Sequence, residues 1–208
     1  MTSLPPFWMA PKPLLLASGS VTRRALLESA GLPVEVLKAS VDEKAIAATL
    51  LEERTPPREI AIALAHAKAE AASRKAPDRP LLAADQTLDH AGSLMMKPVD
   101  RDHARRQLVC LRGKTHYLHS AVVLRQGDTV LWSGVSSAAL TMRPFSDAFL
   151  EAYLDKMGPT ICETVGGYQL EALGAHLFED IEGDHSTILG LPLTPVLHAL
   201  RDLGYLMA

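Results

Sequence analysis

Several groups of polar side chains in this chain have the types and spacing that phosphate chemistry needs. In Leu14-Leu-Leu-Ala-Ser18-Gly-Ser20-Val-Thr-Arg23-Arg24-Ala-Leu-Leu, a short apolar strand enters a hydroxyl-rich turn and then a helix opening on two arginines. Free amides and the positive dipole end at a helix start favour an anion; Ser18 and Ser20 add hydroxyl donors, and Arg23 and Arg24 add full charge in forked geometry. The same residue types also serve simply to cap and solvate a helix. Asp85 ends the apolar run Leu81-Leu-Ala-Ala84. A carboxylate held where a buried strand emerges can bind Mg²⁺ or orient an attacking water, or it can cap the turn that follows. Glu43 is a second acid, expected in an exposed loop near a strand end. Two oxygen ligands of this kind, with waters and substrate phosphates, are what Mg²⁺ usually accepts. Lys97, before Pro98, lies on the return arm of a hairpin that brings a compact cation back to the same sheet edge. Lys68, on an alanine-rich helix, reads from its neighbours as a solvated lysine.

Other chemistries lose support. His116 and His119 are three apart on a strand, so they point to opposite faces and do not readily share a metal. The chain has no Walker A sequence, no GxGxxG fingerprint and no GxSxG elbow. With 21 Lys and Arg against 24 Asp and Glu, the net charge of −3 gives no broad attraction to a nucleic-acid backbone or an anionic membrane. Cys110 and Cys162 imply neither a disulfide framework nor a metal spacing, so cytoplasm is the default compartment.

The elements that must position these residues follow from hydropathy and turn chemistry. Strands are expected at 14–17, 33–37, 81–84, 94–96, 117–125 and 129–142, and helices at 22–30, 59–75, 102–111, 146–156 and 194–203. Thr55 is expected to cap the helix at 59–75. Residues 1–13, with three prolines before residue 12, read as a loose N-terminal arm, and 14–208 as one domain. Interleaved elements plus antiparallel hairpins give an α/β fold: a mixed central sheet flanked by helices, with a cleft. The segment Glu182-Gly-Asp184-His-Ser186-Thr-Ile-Leu-Gly190-Leu-Pro192-Leu reads on spacing as a structural turn and packing seam.

Taken together, Ala17-Ser-Gly-Ser20 with Arg23, Ala84-Asp85, Lys97-Pro98, Leu111-Arg-Gly113-Lys-Thr-His116, and Ile181-Glu-Gly-Asp184 through Gly190-Leu-Pro-Leu193 resemble the Maf family of nucleoside triphosphate pyrophosphatases. The resemblance spans nearly the whole chain, in order. It implies a two-lobed α/β fold around a cleft, a homodimer, and hydrolysis of a nucleoside triphosphate to monophosphate and pyrophosphate with a divalent metal, Mg²⁺ or Mn²⁺. By position, it implies that Ser18, Ser20 and Arg23 grip phosphate, that Glu43 and Asp85 hold the metal, and that Lys68 and Lys97 offset charge. Asp85 would act as the catalytic base. Met96 stands where the family's lysine motif has glycine. Arg24, Gln86 and Glu171 are similar to the branch acting on 7-methyl-GTP, although that branch often has Trp at the position of Thr22. The dTTP/UTP branch, a phosphohydrolase of other esters and a non-catalytic nucleotide sensor remain alternatives.

Overall fold

Apolar strands alternate with helices along the chain in the computed structural model, which describes residues 5–208. The first half runs β1 (Leu14–Leu16), α1 (Val21–Ser29), β2 (Val34–Val36), α2 (Glu43–Glu52), α3 (Pro57–Ser73), β3 (Leu81–His90) and β4 (Ser93–Met95). The second half runs α4 (Arg101–Leu111), β5 (Thr115–Gln126), β6 (Thr129–Met142), α5 (Asp147–Met157), β7 (Phe178–Glu182), α6 (His185–Ile188) and α7 (Leu193–Asp202), with short 3₁₀ turns between α5 and β7. The seven strands form one mixed sheet in the order β2-β1-β3-β5-β6-β7, with β4 also paired to β3. This is the α/β architecture expected, a mixed sheet flanked by helices.

The register of β3 creates the fold's main irregularity. One edge of β3 is paired with antiparallel β5 along nearly its whole length, from Leu81 opposite Arg125 to Asp89 opposite Tyr117. The other edge is shared. Parallel β1 covers Leu81 and Leu82, and antiparallel β4 covers Leu88 to His90. Between them, Ala83 to Thr87 have no strand on that side, so the sheet edge is split at its centre.

Period-two alternation gives the two faces of β3 different tasks. On one face, Leu82 and Ala84 join Val122, Leu124, Leu27 and the α7 residues Val196 and Leu200 in one core. On the same face Leu88 joins Leu118, Leu140, Leu108 of α4 and Leu154 of α5 in another. Gln86 falls between the two cores, so the two-lobed plan is written into the alternation of one strand. On the opposite face, Ala61, Ala65, Ala69 and Ala72 of α3 lie on Leu81, Ala83, Ala121 and Val123. Their recurrence every three or four residues puts a methyl-sized stripe against the sheet and brings the helix backbone close.

Several expectations need correction. Asp85 does not end its strand but sits at the middle of the ten-residue β3, because pairing with β5 carries the strand on to His90. Glu43 is not in a loop: it is the first residue of α2, a helix that the sequence reading missed. Asp42 caps that helix by accepting from the Ala45 amide at 3.0 Å, and the alanine-rich sequence after it favours helix. Thr55 does not cap α3; Pro56 is its N-cap, without a side-chain hydrogen bond, and Pro57 opens the helix. The described part of the N-terminal arm is docked. Trp8 is buried, stacks on Tyr205 and forms a bridge with Leu206, and its indole donates to the Lys12 carbonyl at 2.9 Å. Residues 1–4 lie outside the described residues.

Candidate active site

The split in the sheet edge is where Ser18, Ser20, Arg23, Glu43, Lys68 and Asp85 are gathered. On one bank is the turn after β1. Ser20 caps α1 by accepting from the Arg23 amide at 3.3 Å, while the Ser18 hydroxyl oxygen accepts from the Ser20 amide at 3.2 Å. Both hydroxyls act there as acceptors, which leaves their own hydrogens available to an incoming oxygen anion. Arg23 points back into the split. Its Nε donates to the Gly190 carbonyl at 2.7 Å, and its Nη1 donates to Ser18 Oγ at 3.2 Å and to the Ala84 carbonyl at 3.1 Å. The Ala84 carbonyl lies on the stretch of β3 without a neighbouring strand, so the guanidinium stands in for part of the missing partner.

The floor of the split carries the acids. Asp85 and Lys68 are both buried, and Lys68 Nζ lies 2.5 Å from Asp85 Oδ1 and 3.0 Å from Glu43 Oε2. The solvated reading of Lys68 is therefore wrong. Its place beside the alanine stripe of α3 points it under β3 instead of into water. Burial pushes the Asp85 carboxyl above the usual carboxylate range; Lys68 and then Arg23 pull it back, and Glu43 adds to the rise. Burial likewise lowers the Arg23 guanidinium from its ordinary value, opposed by Asp85 and Glu43, yet arginine remains a cation.

The remaining candidates are placed differently. Lys97 is exposed just beyond β4, on the other bank, and the preceding Met96 carbonyl accepts from Gln107 Nε2 at 2.8 Å. Arg24 lies on the solvent face of α1, ion-paired with Glu28 at 2.7 Å, away from Arg23's contacts. Glu171 is exposed ahead of the 3₁₀ turn at Leu173–Leu177 and has no ion-pair partner among the described residues. Gln86 faces the side opposite Asp85, and its Nε2 lies 3.0 Å from Ser120 Oγ, 3.1 Å from the Thr187 carbonyl and 2.9 Å from the Ile188 carbonyl. His116 and His119 contact different partners, Tyr168 at 2.6 Å and Ser137 at 2.7 Å, as expected of residues on opposite faces. The sequence reading missed the Gly190 and Ala84 carbonyls that anchor Arg23. Backbone acceptors leave no side-chain signal.

Comparisons with known proteins identify the family. The family described as Maf-like protein matches residues 13–203. The chain belongs to the Maf family. A curated relative named nucleoside triphosphate pyrophosphatase, from Rhodopseudomonas palustris (strain BisB5), is 47% identical over 94% of this chain and 96% of its own. Another, named 7-methyl-GTP pyrophosphatase, from Rhizobium meliloti (strain 1021), is 46% identical over 93% of this chain and 98% of its own. A more distant likeness is to the structure of a HAM1 protein from Coxiella burnetii, at 14% identity and a TM-score of 0.41, over 64% of this chain and 73% of that one. Within this Maf protein, the described residues contain no cluster of three or more His, Cys, Asp or Glu able to enclose a metal unaided. The donor set still fits a hard divalent cation. Glu43 and Asp85 bring carboxylate oxygens to one cationic point, now Lys68 Nζ, and Mg²⁺ or Mn²⁺ can complete such a shell with water and phosphate oxygens.

Proposed function

We propose that this Maf protein hydrolyses a nucleoside triphosphate to the monophosphate and pyrophosphate at the split in its sheet edge. The observation that carries the reading is the contact of buried Lys68 with both Asp85 and Glu43, next to the anchored Arg23. The activity in the names of the relatives supports it. In this reading Ser18, Ser20 and the free amides of α1 hold phosphate oxygens, with Arg23 facing the same anion. Asp85 takes a proton from water as the water oxygen bonds to the α-phosphorus. The bond from that phosphorus to the bridging oxygen breaks, and pyrophosphate leaves with the electron pair. Lys68, on the floor of the split, and Lys97, on the bank beyond β4, offset the charge that develops on the leaving group. Glu43 and Asp85 would hold the divalent metal, which supplies Lewis-acid neutralisation of the phosphate oxygens when bound.

For the base, we propose a purine that carries positive charge, 7-methyl-GTP or a related non-standard nucleotide. The support is Glu171, an exposed carboxylate with no cation on it among the described residues, together with the relative of that name. The test is release of pyrophosphate across a nucleotide panel with Mg²⁺, Mn²⁺ or chelator. The expected result is metal-dependent pyrophosphate release that is fastest with 7-methyl-GTP, a preference that Glu171→Lys reverses. Binding without turnover, or release of inorganic phosphate alone, overturns the hydrolytic reading. A preference for dTTP or UTP that survives Glu171→Lys overturns the base assignment.

A further inference from the structure

Arginine has five N–H donors, and Arg23 commits three of them to the scaffold: Nε to Gly190, and both Nη1 hydrogens to Ser18 and Ala84. The two on Nη2 have no acceptor among the described residues, so the aim of Nη2 is the aim of the whole group toward a ligand. That aim depends on Gly190. Gly190 has φ +94, a conformation that suits glycine, and a Cβ added there would lie 3.2 Å from Arg23 Nε and Nη2.

Gly190 in turn hangs from α6, a helix of one turn. Its amide donates to the Thr187 carbonyl at 3.0 Å, and the Leu191 amide donates to Ser186 at 2.9 Å. So short a helix cannot fix its own position. Its start is tied by Asp184, which accepts from the Thr187 amide at 3.0 Å and from the Ser186 hydroxyl. Its last carbonyls are tied to the sheet by two side chains. Gln86 Nε2 reaches both Thr187 and Ile188, and the Ser120 hydroxyl donates to Thr187 at 2.8 Å while lying 3.0 Å from Gln86. The donors of the Gln86 amide are thus occupied by backbone and Ser120, in the seam between the two cores.

We infer that Gln86 is a positioning residue for Arg23: it pins α6, α6 sets Gly190, and the Gly190 carbonyl fixes the direction of the one guanidinium nitrogen left for phosphate. This gives the Gln86 amide nitrogen a task that does not depend on the base. It also ties the phosphate grip to the strand residue next to Asp85, so acid and cation are set by one segment of β3. The inference rests on the split being a triphosphate site.

A ligand without a base separates the two roles. The probe is inorganic triphosphate, titrated calorimetrically into the full chain in parallel with KM for each nucleotide. Gln86→Leu is expected to weaken inorganic triphosphate about tenfold, the scale of losing one hydrogen bond to a charged group, and to raise KM for every nucleotide by the same factor. In an Arg23→Gln background the same change is expected to have little further effect, because the groups act in series. Unchanged triphosphate affinity with an altered ranking of bases makes Gln86 a base reader and overturns the inference. Equal losses in both backgrounds overturn it as well. If Gln86→Leu does not fold, Gln86→Met, which keeps the side-chain length and removes the same donors, carries the test with the same outcomes. A wild-type protein that binds triphosphate but hydrolyses no nucleotide defeats the proposed activity, and the calorimetric comparison still decides the role of Gln86.

Discussion

Asp85 is held by opposing effects: burial favours its neutral acid, while Lys68 and Arg23 favour the carboxylate. A base must be deprotonated to accept a proton, so kcat/KM is expected to fall as pH drops through a value above the ordinary aspartate pKa of about 3.9. Lys68→Met removes the larger of the two cationic influences on Asp85, so the acid limb should move upward. Asp85→Asn should abolish that limb and lower kcat by about 100-fold or more while leaving nucleotide affinity largely intact. A pH–rate profile of the three proteins, with nucleotide binding measured on each, checks these outcomes. A limb that stays in place in Lys68→Met would assign it to another group. His116, the other strongly shifted group near the neutral range, is lowered to about 4 by burial and His90 and bonds Tyr168, not the acids of the split.

At the scale of elements, the site depends on short pieces of structure that end in the right place. The turn after β1 and the segment after β4 face each other because both strands pair with the same edge of β3 and neither covers its centre. The acid Glu43 reaches Lys68 because α2 begins at that residue, and Asp42 fixes the beginning. Asp42→Ala should therefore cost about 1 kcal/mol through the lost cap. It should also raise the metal concentration needed for half-maximal rate, since Glu43 would no longer be held at the first position of a formed helix. Denaturant unfolding and a metal titration of the rate measure the two effects. A stability loss with an unchanged metal titration would restrict Asp42 to folding. The local signals for α2, an Asp42 cap followed by alanines, do stand in the sequence, but the expectation of a loop at Glu43 passed over them. The continuation of β3 past Asp85 was not legible there, because a charged residue inside a strand looks like its end until the partner strand is known.

For the whole molecule, the docked N-terminal segment joins the chain ends. Trp8 is buried in one core with Leu14, Leu27, Leu200 and Leu206. Trp8→Ala should lower stability by about 3–5 kcal/mol, on the order of 10 °C in Tm for a chain of this size, with KM at 25 °C little changed. Thermal unfolding beside steady-state kinetics tests this, and an unchanged Tm would mean the arm contributes no stability. No helix of the described residues is long and apolar enough to cross a membrane.

The sequence by itself determined the chemistry on offer and most of the elements. Hydroxyls, arginines, acids and lysines stand at turns and strand positions that hydropathy marks, and their order along the chain carries the family resemblance. Only the tertiary structure decided which of them act together. Arg23 meets Gly190 across 167 positions of chain and Ala84 across 61, and Lys68 meets Asp85 across 17, so local propensity holds no record of these contacts. The burial of Lys68, the occupied amide of Gln86 and the outward turn of Arg24 depend on which edge of β3 lacks a strand and which face of it meets a helix. Those features arise from packing between distant segments, so they appear only when the sheet is assembled.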